Sequence, residues 1–308
     1  MADKVVVGYF PNWLYARYPV SNIDFSSYTH INYAFAVMIH GDTPEWTDNE
    51  QVKTQLPQLV EKAHAANAKV LISVGGWSGC ITFSTMAASA SGRTSFINWA
   101  VDQINNYGID GIDLGKCCYW EYPGKQGAGC NAVDEANDVK NYLQLIKEMR
   151  QAFDGVHNGT SRKEITIAGY VRPFESASDF GSVLDRINLM TYDINGAWND
   201  TTGPNAPFQF QPGFGDADSF VSAIEAWKGA GVPAGKIVPG VAFYGRSSSM
   251  YDQQQAIYAL IHHFLYILAA TVDMTQTGSQ YQPQEKGKPP KGDSYDAAWQ
   301  DPNCAKGK

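Results

Sequence analysis

Short apolar runs recur along the chain and alternate with longer stretches in which apolar residues have helical spacing. This alternation predicts repeated β-α units that build a sheet of parallel strands. Polar or turn-forming residues bound each apolar run, which indicates where the strands end. The predicted strands are 5–10, 29–37, 69–74, 109–114, 165–170, 186–193 and 236–243.

Three connecting stretches, 49–66, 93–107 and 134–153, have the apolar periodicity of amphipathic helices. The first is expected to bury the face formed by Val52, Leu56, Leu59, Val60 and Ala63. The third is expected to bury the face formed by Val139, Tyr142, Leu143, Ile146 and Met149. Strands and helices together favour an α/β fold, and a single α/β barrel suits the order of these elements.

Composition narrows the class of protein further. The chain has 308 residues, of which 44% are hydrophobic and 18% charged, as expected for one large globular unit. The net charge of −8, with no basic cluster outside the tail, argues against a nucleic-acid partner. The apolar run 256–270 is short and contains His262 and His263, so we expect no membrane span. Aromatic residues make up 13% of the chain, which suits either sugar stacking or a large core.

Cysteines and histidines do not form a recognisable ligand pattern. The six histidines lack the spacing of a metal site, and we expect neither a metal nor another cofactor. Five cysteines at irregular spacing indicate no disulfide framework, although Cys80, Cys130 and Cys304 could pair or stay free. The first residues lack the charged and apolar regions of a signal peptide, so none is expected in the sequence as given.

The densest candidate chemistry lies in residues 110–124. Asp110 and Asp113 alternate with apolar residues of a predicted strand, and Glu121 follows between two aromatic residues. A carboxylate in a buried strand needs either a bonding partner or a chemical task.

This stretch resembles the signature of glycoside hydrolase family 18, the chitinases and chitinase-like lectins. That signature is D-G-x-D-x-D-W-E followed by Y-P-G. Residues 110–114 fit its first half and 120–124 fit its second half. Between them, 115–119 replaces the single aspartate of the signature, so one acid is missing and four residues are extra.

Other strand-end motifs occur in the order expected for the family. They are Gly75-Gly76-Trp77-Ser78, the segment from Tyr192 to Trp198, and Tyr244-Gly245-Arg246. The resemblance spans 4–247 and implies a (β/α)8 TIM barrel with its site at the carboxyl ends of the strands. We expect 1–247 to hold strands one to seven. Residues 248–308 then form an atypical insertion and a truncated small-domain region, in which an eighth strand is not evident.

The resemblance also implies roles for individual residues. Glu121 is the expected proton donor, and the missing aspartate would orient the substrate's N-acetyl group, which acts as the nucleophile. The candidate catalytic residues are Glu121, Asp113, Asp110, Tyr192 and Asp193. The candidate substrate-binding residues are Tyr9, Trp13, Phe35, Trp77, Met190, Trp198, Tyr244 and Arg246. A single aromatic among them is equally compatible with barrel packing.

The first hypothesis is therefore a secreted, monomeric, chitinase-like protein that binds chitin or N-acetylglucosamine oligosaccharides and has lost or impaired hydrolysis. The alternative is an active retaining endochitinase that cleaves β-1,4 linkages by substrate-assisted catalysis. A third reading is a non-functional product of an imperfect gene model, since 115–119 and 248–270 each interrupt a family passage. An extracellular location is expected from the family resemblance alone.

Overall fold

The computed structural model describes residues 4–76, 79–115, 123–125, 132–156, 162–196, 199 and 201–245. Within these residues, seven strands form one sheet in chain order, and every neighbouring pair is parallel. The strands are β1 (Val7–Pro11), β2 (His30–Ala36), β3 (Lys69–Val74), β4 (Gly111–Leu114), β5 (Glu164–Gly169), β6 (Arg186–Leu189) and β7 (Ile237–Pro239). The α/β prediction is confirmed.

From β2 onward, α-helices connect successive strands and pack on the sheet. They are α1 (Asn49–Ala65), α2 (Phe83–Ala88), α3 (Ala90–Tyr107), α4 (Asp138–Asp154), α5 (Ala177–Val183) and α6 (Phe220–Gly229). Local chemistry fixes several of their ends. The Asp48 carboxylate accepts from the backbone of Gln51 to begin α1, and Gly108 ends α3 in the left-handed conformation. Their buried faces form the main core with the outer face of the sheet.

The sheet is strongly curled. Strands β1 and β6 are five positions apart in the strand order, which would separate them by about 24 Å in a flat sheet. Instead, Asn188 Nδ2 on β6 lies 3.3 Å from the Tyr9 hydroxyl on β1. The described strands therefore wrap around a shared interior, as the barrel prediction requires.

Element boundaries differ from the predicted ones at the ends of strands. The prediction for β3 is confirmed at both ends, but β6 ends at Leu189 and β7 at Pro239, earlier than predicted. Asp193 has a φ of 57°, which a strand residue cannot adopt, so Tyr192 and Asp193 lie in the turn that follows β6. The face predicted for α1 is buried as expected. Helices α2, α5 and α6 were missed because two are short and the third follows a long loop.

The remaining fold predictions have mixed outcomes. Of the two alternatives left open for Cys80, pairing or staying free, the structure shows pairing, because Cys80 is disulfide-bonded; the other four cysteines lie outside the described residues. Among the helices that the structure describes, none is long and apolar enough to cross a membrane. The described part of the chain holds no group of three or more acidic, histidine or cysteine side chains placed to bind a metal. The proposed insertion 248–270 and the region of the eighth strand lie outside the described residues.

Candidate active site

The Asp113 carboxylate on β4 is fully buried inside the curled sheet and receives hydrogen bonds from other strands. The Tyr9 hydroxyl and Ser73 Oγ donate to Oδ2 at 3.0 and 2.7 Å. Thr166 Oγ1 and Asn188 Nδ2 donate to Oδ1 at 2.5 and 3.1 Å. A carboxylate has about four lone-pair directions, so donors from the described residues already fill its accepting capacity.

Burial sets the protonation tendency of this network. Desolvation raises the pKa of Asp113, although hydrogen bonds from Thr166, Ser73 and Tyr9 and the positive charge of Arg186 oppose that rise. Burial also raises the pKa of Tyr9 well above its usual value, and the charge of Asp113 adds to the effect. Tyr9 therefore keeps its proton and stays a hydrogen-bond donor.

A second cluster lies in the turns after β6 and β7. The Tyr244 hydroxyl donates to Asp193 Oδ1 at 2.7 Å, and the Tyr244 ring meets the Tyr192 ring edge-on, with centroids 6.1 Å apart. Asp193 holds a left-handed backbone, and its N–H donates to Asn205 Oδ1 at 3.1 Å, which helps fix that turn. The Tyr192 phenol also contributes to the raised pKa of Tyr9.

An aromatic pair lies at the ends of β1 and β2. The Trp13 side chain is 43% exposed, and its ring stacks on Phe35 with centroids 6.1 Å apart and planes 25° apart. Phe35 in turn packs on the backbone of Gly76, where an added Cβ would lie 2.9 Å from the Phe35 ring. The exposed Trp13 face is therefore held in a fixed orientation at the strand ends.

Gly115 occupies the point at which the family signature loses its acid. A Cβ added there would lie 2.4 Å from Ser73 Oγ and 3.2 Å from the Val74 carbonyl oxygen. Ser73 instead uses that space to donate to Asp113. Strand β4 thus delivers one carboxylate to the interior at this end, and Gly115 adds none.

Asp110 lies apart from this cluster, at the amino end of β4. Its Oδ2 accepts from the Val70 backbone N–H at 2.8 Å and lies 2.8 Å from His64 Nε2. These contacts join α1, β3 and β4 outside the barrel interior. Asp110 and Asp113 are both predicted catalytic residues, but the structure does not bring their side chains together.

Of the remaining candidates, one lies within the residues that the structure describes and the others lie outside them. Met190 is buried just beyond β6, and its N–H donates to the Gly169 carbonyl oxygen at 2.9 Å. Four candidates, Trp77, Glu121, Trp198 and Arg246, lie outside the described residues. The predicted catalytic and binding roles of all the candidates remain predictions.

Sequence reasoning missed the donors that hold Asp113. Ser73, Thr166 and Asn188 are polar residues within otherwise apolar strand runs, and that was their only signal. A search for polar residues inside buried strands would have selected all three.

It also missed a buried ionic cluster at the amino ends of the strands. Glu164 Oε1 lies 2.5 Å from Lys69 Nζ, and Oε2 lies 2.5 Å from Arg186 Nη1. His30 Nε2 is 3.3 Å from the same carboxylate. Burial alone would raise the pKa of Glu164, but the hydrogen bonds from His30 and Lys69 and the charge of Arg186 hold the pKa well below its usual range.

Comparisons with known proteins agree with this architecture. The family model described as "Glycosyl hydrolases family 18" matches residues 5–304. A chitinase-like effector of Moniliophthora roreri is 33% identical over 304 residues, which cover 95% of this chain and 67% of the effector. Chitinase A1 of Niallia circulans is 35% identical over 303 residues, covering 78% of this chain and 42% of that protein.

Solved chitinase structures have the same fold. A Rhizomucor miehei chitinase superposes with a TM-score of 0.70 at 31% identity, covering 82% of this chain and 67% of that one. The Ostrinia furnacalis Group IV chitinase in complex with allosamidin gives 0.65 at 29% identity, covering 78% and 66%. This chain spans about two thirds of the length of these solved chains and less than half of chitinase A1.

Proposed function

We propose that this chain, which belongs to glycosyl hydrolase family 18, is a chitinase-like protein that binds N-acetylglucosamine oligosaccharides with lost or impaired hydrolysis. The proposal places the oligosaccharide at the carboxyl ends of the strands. There, Trp13 and Tyr244 present exposed aromatic surface, and Tyr192 and Asp193 supply polar groups. Aromatic faces with a few fixed polar groups suit a sugar-binding groove.

Two features at the end of β4 support the loss of hydrolysis. The Asp113 carboxylate already has its full set of hydrogen-bond donors, and Gly115 has no side chain. The family resemblance implies that substrate-assisted cleavage needs a carboxylate beside the reacting acetamido group, which it orients. Asp113 is buried and already accepts from four donors of the described residues. Gly115 provides no second carboxylate, and a Cβ at that position would lie 2.4 Å from Ser73 Oγ, which donates to Asp113 instead.

The names of the relatives support an N-acetylglucosamine oligosaccharide as the ligand. They are compatible both with active hydrolysis and with its loss. Two relatives carry the name chitinase-like effector, and others carry the names chitinase and oviduct-specific glycoprotein. One structurally similar protein is described in complex with a penta-N-acetylchitooligosaccharide. We propose that this protein likewise binds an oligosaccharide of this kind.

We also propose an extracellular location. Cys80 is disulfide-bonded, and disulfides form and persist mainly in oxidising compartments. An oviduct-specific glycoprotein of Bos taurus, 30% identical over 269 residues, is among the relatives.

One experiment measures binding and cleavage on the same sample. Purified protein is titrated with chitin hexamer in a calorimeter, and new reducing ends are then assayed in the cell contents. We expect heat of binding without release of reducing ends. Robust release would favour a working endochitinase, and absence of heat from a folded protein would contradict both readings.

A further inference from the structure

The loop between β6 and α6 is closed at its base by one buried amide. Asn195 Nδ2 donates to the Pro204 carbonyl oxygen at 3.0 Å, and the Asp216 N–H donates to Asn195 Oδ1 at 2.8 Å. Cβ atoms added at Gly203 or Gly215 would lie 2.6 and 2.1 Å from this amide. Residues 204–216 thus form a compact loop whose two ends are clamped together, in the manner of an Ω-loop.

This loop presents aromatic rings to solvent. Phe208, Phe210 and Phe214 are 65%, 41% and 58% exposed. Phe208 is braced from below, because its ring stacks on Phe220 of α6 with centroids 5.4 Å apart and planes 29° apart. Solvent-exposed phenylalanines concentrated in one short loop contribute little to the core, and concentrated apolar surface of this kind marks an interaction site.

The loop is continuous with the proposed groove. Asn205 Oδ1 accepts from the Asp193 N–H, and the Asn205 carbonyl oxygen accepts from the Ile194 N–H at 3.0 Å. Asn205 Nδ2 also donates to the Tyr244 carbonyl oxygen at 3.3 Å. The segment that carries the aromatic rings is therefore attached directly to the Asp193 and Tyr244 end of the site.

The chemistry of the loop favours an uncharged ligand. Within the loop 204–216 the one charged side chain is Asp216 at its end, whose Oδ2 accepts from Asn199 Nδ2 at 3.0 Å, although the whole chain has a net charge of −8. Gln209 and Gln211 alternate with the phenylalanines and supply amide groups beside the rings. Rings stack on the apolar faces of sugars, and amides hydrogen-bond hydroxyl and acetamido groups.

We propose that the loop 204–216 is a second carbohydrate-binding surface, which holds the neutral N-acetylglucosamine polymer where it extends beyond the groove. The inference rests on the proposed function and adds the polymeric form of the ligand. A long chain would contact both the groove and the loop, whereas a short oligomer would occupy the groove alone. Simultaneous contacts raise the overall affinity for the polymer without changing the affinity of the groove.

The test compares a short and a long ligand in the full chain. Chitotriose affinity is measured by calorimetry, and polymer affinity by depletion onto insoluble chitin. The test variant is Phe210→Ala with Phe214→Ala, which spares Phe208 and its contact with α6. The matched control is Phe210→Tyr with Phe214→Tyr, which keeps both rings. We expect the alanine pair to lower polymer affinity about ten-fold or more, and the tyrosine pair to retain it.

The outcomes separate this inference from the proposed function. Unchanged polymer binding by the alanine pair, with normal chitotriose binding, overturns the loop proposal and leaves the groove intact. Absence of chitotriose and polymer binding in the folded parent chain overturns the proposed function itself. Self-association of the parent chain that the alanine pair abolishes would assign the loop to contacts between copies and also overturn the proposal. An equal loss of chitotriose and polymer binding in the alanine pair would assign the rings to the groove and overturn the proposal of a second surface.

Discussion

The Tyr9 hydroxyl on β1 donates a hydrogen bond to Asp113 Oδ2 on β4, 3.0 Å away across the interior of the curled sheet. The same hydroxyl lies 3.3 Å from Asn188 Nδ2 on β6, and that amide also donates to Asp113. The three side chains therefore close a ring of contacts between strands that are not neighbours in the sheet. This ring fixes the curvature of the sheet and the position of its buried carboxylate together.

Replacing Asp113 by Asn should destabilise the chain. The substitution puts an NH2 group where two hydroxyl or amide donors now converge, so buried donors lose their acceptor. We expect a loss on the order of 3 kcal/mol in the free energy of unfolding, measured with urea. Asp102→Asn on the exposed face of α3 is the matched control. A change in both variants below about 0.5 kcal/mol would contradict a structural role for this network.

Replacing Glu164 by Gln should destabilise the chain in a pH-dependent way. The variant leaves the Arg186 and Lys69 charges without their buried partner, which costs about 3–5 kcal/mol at pH 7. Because the pKa of Glu164 is lowered on folding, its stabilising effect is present above its unfolded pKa of about 4.3 and is lost as pH falls. The stability gap between parent and variant should therefore narrow below about pH 4.

Urea unfolding at three pH values from 7 to about 3.5 checks the sign. Glu225→Gln, which breaks an exposed pair with Lys228 on α6, is the control and should shift stability by less than about 1 kcal/mol at each pH. A gap that stays constant down to the lowest pH would show that Glu164 is not held ionised by its neighbours.

The sequence predicted the fold more closely than the site. Parallel strands were recognisable because buried strands are continuous apolar runs, and Lys69–Val74 was located at both ends. Boundaries failed where backbone geometry decides them. Asp193 looks like part of an apolar strand, but its left-handed backbone and the bond to Asn205 place it in a turn.

The site was only partly predictable because partners are set by tertiary structure. Asp110 and Asp113 have the same alternation with apolar residues, yet one bonds to α1 and β3 and the other lies inside the barrel. The difference depends on which end of β4 each occupies and on the curl of the whole sheet. The spacing of apolar residues along the sequence reveals neither the end of the strand that an aspartate occupies nor the curl of the sheet.

The Trp13→Ala variant should bind oligosaccharide more weakly. Its ring is exposed on one face and supported by Phe35 on the other, so truncation removes a preset stacking surface. We expect about a ten-fold loss of affinity for chitin hexamer in calorimetry, with the fold checked by thermal unfolding. Trp13→Phe keeps an aromatic face and should retain most of the affinity. Equal binding by the parent and the alanine variant would remove Trp13 from the groove.

Thiol chemistry should show at least one buried disulfide. Two of the five cysteines, Cys80 and its partner, are expected to remain unreactive to a thiol reagent in denaturant until a reductant is added. Cys80→Ala should lower the free energy of unfolding by about 2–5 kcal/mol in oxidised protein and by much less in reduced protein. Full reactivity of all cysteines without reductant would show that Cys80 is a thiol in solution.

Replacing 115–119 with a single aspartate should restore hydrolysis. The new residue adds a carboxylate two positions after Asp113, on the same face of the strand. Its Cβ would lie 2.4 Å from the present position of Ser73 Oγ, so the Ser73 hydroxyl has to rotate away. Rotation of a hydroxyl is a small adjustment, so the strand should accept it. We expect release of reducing ends from chitin hexamer to rise by about 10²-fold or more. The matched control replaces the same residues with a single asparagine, which keeps the length and shape but not the charge. If both repaired chains fold and bind yet cleave equally slowly, the catalytic lesion extends beyond this strand.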